Sequence, residues 1–274
     1  MIAAAALGRR AARLALGTLL VLGIHSCAPV LRAPGGLDVS ALSVRHERLR
    51  AAREARLVAA RMEATAWIEG ENLGRLPAVQ LDVALAAPDR VRVRIGSLFG
   101  TALDLMVRGD SLSAYVPPRR MGFELASLEE SLGVRLPGAW ACRSFAATWR
   151  PSDARWMRLA GDSLWHAAWL EGADSLAVAV DSRGLPVSVE LRSAGGRQLR
   201  AAYPAWNWTD GEAWPARIEI EEGGGAFRAS LRIDRVRFLP QPDPQWMALA
   251  IPPSAERLDW EALRGALSRW GARP

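Results

Sequence analysis

The sequence predicts an α+β fold: a strongly curved antiparallel sheet of about eleven strands, an incomplete barrel, wrapped around a helical plug with an apolar cavity. Three observations predict it. From about residue 64, short segments repeat apolar residues with the period of two that a half-buried strand shows. The turns between them are short and carry Gly-Asp, Ala-Asp, Arg-Gly, Gly-Gly and Asp-Gly, so consecutive strands pair antiparallel. Two stretches break the alternation with helical spacing, and a sheet this long must curl and find cover for its apolar face.

The chain has 274 residues, half of them apolar, which is ample for a core. All 35 basic residues are Arg, and Lys is absent. A phosphate-binding loop with its Lys and Schiff-base catalysis are therefore excluded. The Arg-only usage accompanies Ala-rich runs and reads as a compositional bias rather than a nucleic-acid footprint.

Residues 1–26 read as a lipoprotein signal peptide. Arg9, Arg10 and Arg13 form a basic n-region, and Leu14 to Ile24 form an apolar run. About 20 apolar residues are needed to span a bilayer, so this run is too short for a membrane helix. Without the three Arg, the net charge of +6 becomes 6 − 3 = +3. In "IHSCAP", Cys27 follows a small residue, Ser26, and the stretch resembles the bacterial lipobox, whose Cys is acylated and becomes the new N-terminus. A cut after Ala28 would instead leave Pro29 first and Cys27 removed. Cys142 is the other cysteine, set in an apolar stretch, and reads as a small core residue.

Residues 27–39 are rich in Pro and Gly and read as a tether reaching roughly 20 Å. The domain then runs over 40–274. Its first element is a helix from Ser40 to Met62, with Val44, Ala51, Ala55, Val58 and Met62 on one stripe and Arg and Glu opposite. Five strands follow in "ATAWIEG", "AVQLDVALA", "RVRVRIG", "TALDLMVRG" and "SLSAYV". A break is expected at "PPRRMGFE", then two short helices split near Pro137. Strands resume with "RWMRLAG", "SLWHAAWLEG", "SLAVAVD", "PVSVELR", "QLRAAYPAWNW", "ARIEIEE" and "FRASLRIDRVRF". In the last, the alternation slips by one at "IDRVRF", the mark of a β-bulge. Trp260, Leu263, Leu267 and Trp270 form a helical stripe in a C-terminal extension of about 240–274.

Catalytic signatures are thin. "GDSL" occurs at Gly109–Leu112 and at Gly161–Leu164, but both copies fall at hairpin turns, where Gly-Asp is ordinary turn chemistry. The histidines are His25, His46 and His166; none follows the second motif's strand to serve as a late base. No paired acid and base, and no clustered metal ligands, can be nominated. The sequence predicts a protein that is not an enzyme and needs no cofactor or metal. The turn in "IGSLFGTALD" is unusual, since Leu98 and Phe99 stand beside Gly100 where a hairpin tip is normally polar. Twelve Trp fit either an aromatic core or the wall of a lipid-sized cavity.

The order of these elements resembles the LolB family of outer-membrane lipoproteins. The resemblance rests on "SLFGTALDLMVRGDSLSAYVP", "SLEESLGVRLPGAW" and "WNWTDGEAWPARIEIEEGGGAFRASLRIDRVRF", and it covers roughly Ala59 to Phe238. It implies an acceptor of acylated lipoproteins from a periplasmic LolA-like carrier, acting as a monomer on a phospholipid bilayer with no nucleic acid involved. It implies anchoring through Cys27 at the periplasmic face of the outer membrane. It places the membrane-engaging tip at Leu98, Phe99 and Gly100. Candidates for the cavity wall are Trp67, Val91, Val93, Ile95, Leu103, Leu105, Trp165, Trp169, Ile218 and Ile220. The alternative is an envelope lipoprotein of the same fold that senses or scaffolds a lipid or peptide without transferring it.

Overall fold

The computed structural model describes residues 39–71, 74–97, 100–127, 138–151, 155–159, 162–196, 198–209, 211–225, 227–259 and 262. The expected signal peptide, Cys27, the tether up to residue 38, Leu98, Phe99, the first mid-chain helix and the Trp260–Trp270 stripe lie outside the described residues.

Helix α1, Val39–Arg56, is built from good helix formers, and its last turn carries Arg53 and Arg56, which suit the negative end of the helix dipole. It is shorter than expected, because Ala59 to Met62 already belong to the first strand. Its inward face is also not the expected one. Leu42, His46, Arg50 and Arg53 are buried, whereas Val44 is 68% exposed and Val58 47%. The reason is what the helix lies against: backbone carbonyls and aromatic rings that take hydrogen-bond donors rather than methyl groups.

The strands are β1 (Ala59–Gly70), β2 (Gly74–Arg75), β3 (Val79–Ala86), β4 (Arg90–Ser97), β5 (Gly100–Arg108), β6 (Ser111–Val116), β7 (Met121–Leu125), β8 (Met157–Arg158), β9 (Trp165–Glu171), β10 (Asp174–Val180), β11 (Pro186–Arg192), β12 (Gln198–Thr209), β13 (Glu212–Glu222), β14 (Phe227–Leu239) and β15 (Glu256–Leu258). Helix α2, Gly138–Ala146, falls between β7 and β8. All fifteen strands share one sheet, ordered β15-β7-β6-β5-β4-β3-β1-β14-β13-β12-β11-β10-β9-β8 with β2 beside β1. Two antiparallel meanders, β3–β7 and β8–β14, are thus joined through the 12-residue β1, which pairs β3 on one side and β14 on the other. Among the described strands the two ends of this order do not pair, so the curved sheet is an unclosed barrel.

The extra strands beyond about eleven are short ones at the edges and one real correction. The expected break at "PPRRMGFE" is a single 3-10 turn, Pro117–Arg119, followed at once by β7. The expected bulge is present: Glu63 pairs Arg235 and Ala64 pairs Ile233, so Asp234 has no partner across β1.

One sheet face is the core. Ala60, Met62, Ala64 and Ala66 of β1 point to it, as do Leu81, Val83 and Leu85 of β3 and Val178, Val189, Ala201, Ile218 and Leu231 of the other meander. Both helices lie on this face. The other face is charged, and the segment after β14 crosses part of it before β15 pairs β7 in parallel.

Candidate functional site

The concave face holds the chemistry that the fold can offer. Helix α2 is seated by Gly138: a Cβ there would lie 1.9 Å from the Asp89 carbonyl oxygen, so a side chain at this position would hold the helix off the sheet. From that seat Cys142 points into the β3–β4 corner, 3.4 Å from the Arg90 carbonyl oxygen. Burial pushes its thiol up to about 12, so it stays protonated at neutral pH. Trp140 meets Trp149 edge-on at 5.5 Å. The Trp149 Nε1–H donates to Tyr203 Oη at 2.8 Å, and the Tyr203 hydroxyl donates to the Ser144 carbonyl at 3.0 Å. Burial raises the Tyr203 hydroxyl well above its ordinary value, so it stays a neutral donor.

Helix α1 is seated beside α2. Gly184, at φ +81°, brings the β10–β11 turn within contact of the His46 backbone, where an added Cβ would lie 3.0 Å from His46 N. His46 Nδ1 lies 2.9 Å from the Gly184 carbonyl oxygen and Nε2 lies 3.3 Å from that of Trp149. Arg53 Nη2 donates to the Ala147 carbonyl at 3.0 Å, and its guanidinium lies 5.3 Å from the Trp206 ring centroid. Arg50 is ion-paired with Glu47 and Glu54 on its own helix.

Between α2 and β9–β11 lies a hollow of about 300 Å³. Trp140, Leu176 and Leu191 give it an apolar floor, and Asp174 with the Arg143–Glu171 ion pair (2.9 Å) rims it. That volume is at the low end for a small-molecule pocket, about 300–1,000 Å³, and suits one chain better than a bulky ring system. Two larger hollows, about 510 and 530 Å³, open on the charged face. Their Arg217, Arg228 and Arg232 are already paired, with Glu219 at 3.1 Å, Glu221 at 2.8 Å and Asp234 at 2.8 Å. Exposed pairs of this kind are the usual furniture of a solvated sheet face.

Most sequence-chosen wall residues share the core-facing side. The register aligns Val91, Val93 and Ile95 of β4 with Val107, Leu105 and Leu103 of β5, and with Leu85, Val83 and Leu81 of β3. Val91, Trp165 and Ile218 are fully buried, whereas Val93, Ile95, Trp169 and Ile220 are partly buried against the core. Leu103 and Leu105 are half-buried. Trp67 is a correction. It stands on the charged face, 37% exposed, with the Arg232 guanidinium 5.9 Å from its ring centroid. On β1 the inward positions are Ala64 and Ala66, both buried, and the alternation of the strand puts Trp67, next to Ala66, outward. Gly100 adopts φ +112°, which suits a tight turn, with open space where a side chain would be. The floor residues Trp140, Leu176 and Leu191 were missed, since only the docking of α2 on β10 and β11 makes them a site. No helix among the described residues is long and apolar enough to cross a membrane.

No protein-family model matches the chain. Its structure is similar to that of a LolA superfamily protein from Nitrosomonas europaea, with TM-score 0.50 and 14% identity, over 78% of this chain and 99% of that one. An outer membrane lipoprotein-sorting protein domain from Vibrio parahaemolyticus aligns at TM-score 0.48 and 11% identity, over 73% of this chain and 94% of that one. In sequence, a component of the NADH-quinone oxidoreductase of Shewanella oneidensis is 31% identical over 180 residues, 62% of this chain. The chain spans only 18% of that protein's length. The chain thus shares its fold with that LolA superfamily protein, as the resemblance of the elements implied.

Proposed function

We propose that this chain is a membrane-anchored lipoprotein acceptor that takes acyl chains of client lipoproteins onto its concave apolar face and delivers them to the outer membrane. The observation that carries the reading is the hollow with an apolar floor under α2, on the same side of the sheet as Val93, Ile95, Leu103, Leu105, Trp169 and Ile220, which are only partly covered. The need for such a face follows from magnitude. At about 0.8 kcal/mol per buried CH₂, one long chain exposed to water costs on the order of 10 kcal/mol. Transfer then needs no covalent step: a LolA-like carrier offers the chain, this face shields it, and the bilayer receives it. In this reading Cys27 bears the lipid anchor, and the acceptor works as a monomer at the periplasmic face.

The tip of the β4–β5 hairpin is the delivery element. In this reading Leu98 and Phe99 would each gain about 1.5–3 kcal/mol on burial at a headgroup boundary. A sensor or scaffold of the same fold would have no use for an apolar pair at that place in the sequence.

A labelled triacylated lipoprotein, presented on a carrier to the domain starting after Cys27, tests the proposal by its arrival in liposomes. Native protein should transfer it rapidly, and Phe99→Glu should bind but fail to deliver. Refusal of the lipoprotein by both forms would overturn the transfer reading and leave the sensing one.

A further inference from the structure

The charged face carries one cluster that no charge ladder explains. Arg92, on the outward side of β4, is only 5% exposed, although outward Arg residues usually reach water. Its guanidinium holds Asp104 of β5 with two bonds, Nε to Oδ1 at 2.8 Å and Nη2 to Oδ2 at 2.6 Å. Its Nη1 donates to the carbonyls of Gln245 and Trp246, at 3.0 and 3.1 Å, in the segment that follows β14. The Trp246 ring has two cations against it, with Arg61 at 3.6 Å and Arg94 at 4.2 Å from its centroid. Arg61 in turn is bound by Asp82 through two bonds of 3.0 and 2.9 Å.

The cluster ties together five elements. Arg61 belongs to β1, Asp82 to β3, Arg92 and Arg94 to β4, Asp104 to β5, and Trp246 to the crossing segment. Further along, Ile251 fills the place of a missing side chain at Gly122 of β7, where a Cβ would lie 2.3 Å from its Cγ2. Leu258 then pairs Phe123 in parallel. The segment from Pro240 to Leu258 is therefore fastened at one end by β14, in the middle by Trp246 and at the far end by β7.

We propose that this segment is a splint for the β4–β5 hairpin, with Trp246 as its positioning residue. The inference rests on the transfer reading in one respect, that the hairpin's tip must be presented stiffly to a membrane. The physical case is independent of it. β3 and β6 flank the hairpin, but among the described residues β3 pairs β4 only as far as Ile95 and β6 pairs β5 only from Asp104, so its outer end stands as a two-stranded unit that is marginal by itself, and local opening follows low contact and exposed backbone bonds. Arg92 and Arg94 both face the splint while Val91, Val93 and Ile95, alternating with them, face the core. The hairpin is thus held from both sides. A cation–aromatic contact is worth more when desolvated, and Arg92 supplies the desolvated carbonyl contacts that fix the ring's height.

The test is local hydrogen exchange, followed by delivery, in the domain starting after Cys27. Trp246→Ala should speed amide exchange in Arg90–Arg108 by tenfold or more and leave β9–β12 unchanged. Trp246→Phe, which keeps an aromatic face for the two cations, should restore most of the protection. In the liposome assay the Ala variant should take up the lipoprotein within twofold of native and deliver it at least tenfold more slowly. Unchanged exchange in the hairpin, or faster exchange across the whole sheet, would overturn the splint. Faster hairpin exchange with undiminished delivery would overturn its positioning role. If the native protein itself delivers nothing, the transfer reading fails, and the exchange comparison still decides the splint.

Discussion

Arg53 of α1 donates through Nη2 to the carbonyl oxygen of Ala147, 3.0 Å away, and so joins the two helices across the concave face. It is the sole direct hydrogen bond seen for this side chain among the described residues, since Nε and Nη1 have no partner. Burial lowers its guanidinium to about 10, with Tyr203 and Glu212 opposing that shift. Desolvating a charge costs several kcal/mol, about as much as one charged hydrogen bond at about 1.5–3 kcal/mol and a desolvated cation–aromatic contact at about 2 kcal/mol together restore. Arg53→Met keeps an unbranched stem against Trp206 and removes the charge. Its unfolding free energy should be equal to native or about 1 kcal/mol higher in urea titration. A loss above about 2 kcal/mol would show that the bond to Ala147 outweighs desolvation.

His46 gives the fold an acid limit. Burial is the foremost cause lowering its imidazole below the ordinary 6.5, aided by the Arg53 charge and opposed by the Gly184 and Trp149 carbonyls and by Glu47. Below 6.5 the unfolded chain therefore binds a proton that the folded chain refuses. Stability is complete above that pH and falls as the pH drops toward the folded value, at up to about 1.4 kcal/mol per pH unit. Urea midpoints between pH 7 and 5.5 should show the decline, and His46→Gln should flatten it. An equal slope in the variant would assign the decline to other groups. Glu47, whose carboxyl is held low chiefly by its hydrogen bond from Arg50, loses its contribution only at lower pH.

These two side chains also mark where the sequence was hard to read. Period-two alternation identified most of the long strands, and even the slip at Asp234 was legible, because each residue's face is set by its immediate neighbours. The inward face of α1 was not. His46 and Arg53 look like part of a solvated stripe until one knows that carbonyls of the β10–β11 turn and of the segment just after α2 wait for them, contacts more than ninety positions away. β7 was hidden for the same reason. "PPRRMGFE" reads as a break, and Gly122 within it leaves the space that Ile251, from far along the chain, fills against β7. At Trp67, size suggested an inward wall residue, whereas the inward places on this part of β1 belong to Ala64 and Ala66.

Gly138 should be intolerant of any side chain. A Cβ would stand 1.9 Å from Asp89 O and 2.8 Å from Asp89 C, both backbone atoms that cannot swing aside. Helix propensity alone favours Ala over Gly by about 1 kcal/mol, so the two effects oppose each other. Overpacking of this kind costs about 1–3 kcal/mol, and here it should win. Gly138→Ala should lower the unfolding free energy and loosen α2, seen as faster exchange in Gly138–Ala146. A more stable variant would mean that the helix is not seated on the β3–β4 turn.

The hollow under α2 makes the most direct prediction for function. Ala139 lines it from the first turn of the helix and is half-buried, so a larger residue there grows into the space rather than into the core. Ala139→Phe puts an aromatic ring over Leu176 and Leu191, the floor on which an acyl chain would lie. The added ring buries apolar surface that would otherwise meet water, so stability should change by less than about 1 kcal/mol. Uptake of a fluorescent acyl probe should weaken at least tenfold, which is about 1.4 kcal/mol of lost binding and corresponds to fewer than two excluded CH₂ groups at about 0.8 kcal/mol each. Undiminished uptake would place the chain elsewhere on the concave face, along Val93, Ile95 and Ile220. Ile95→Glu would then be the variant that removes it, because a carboxylate in that row cannot be buried beside a chain without losing its hydration.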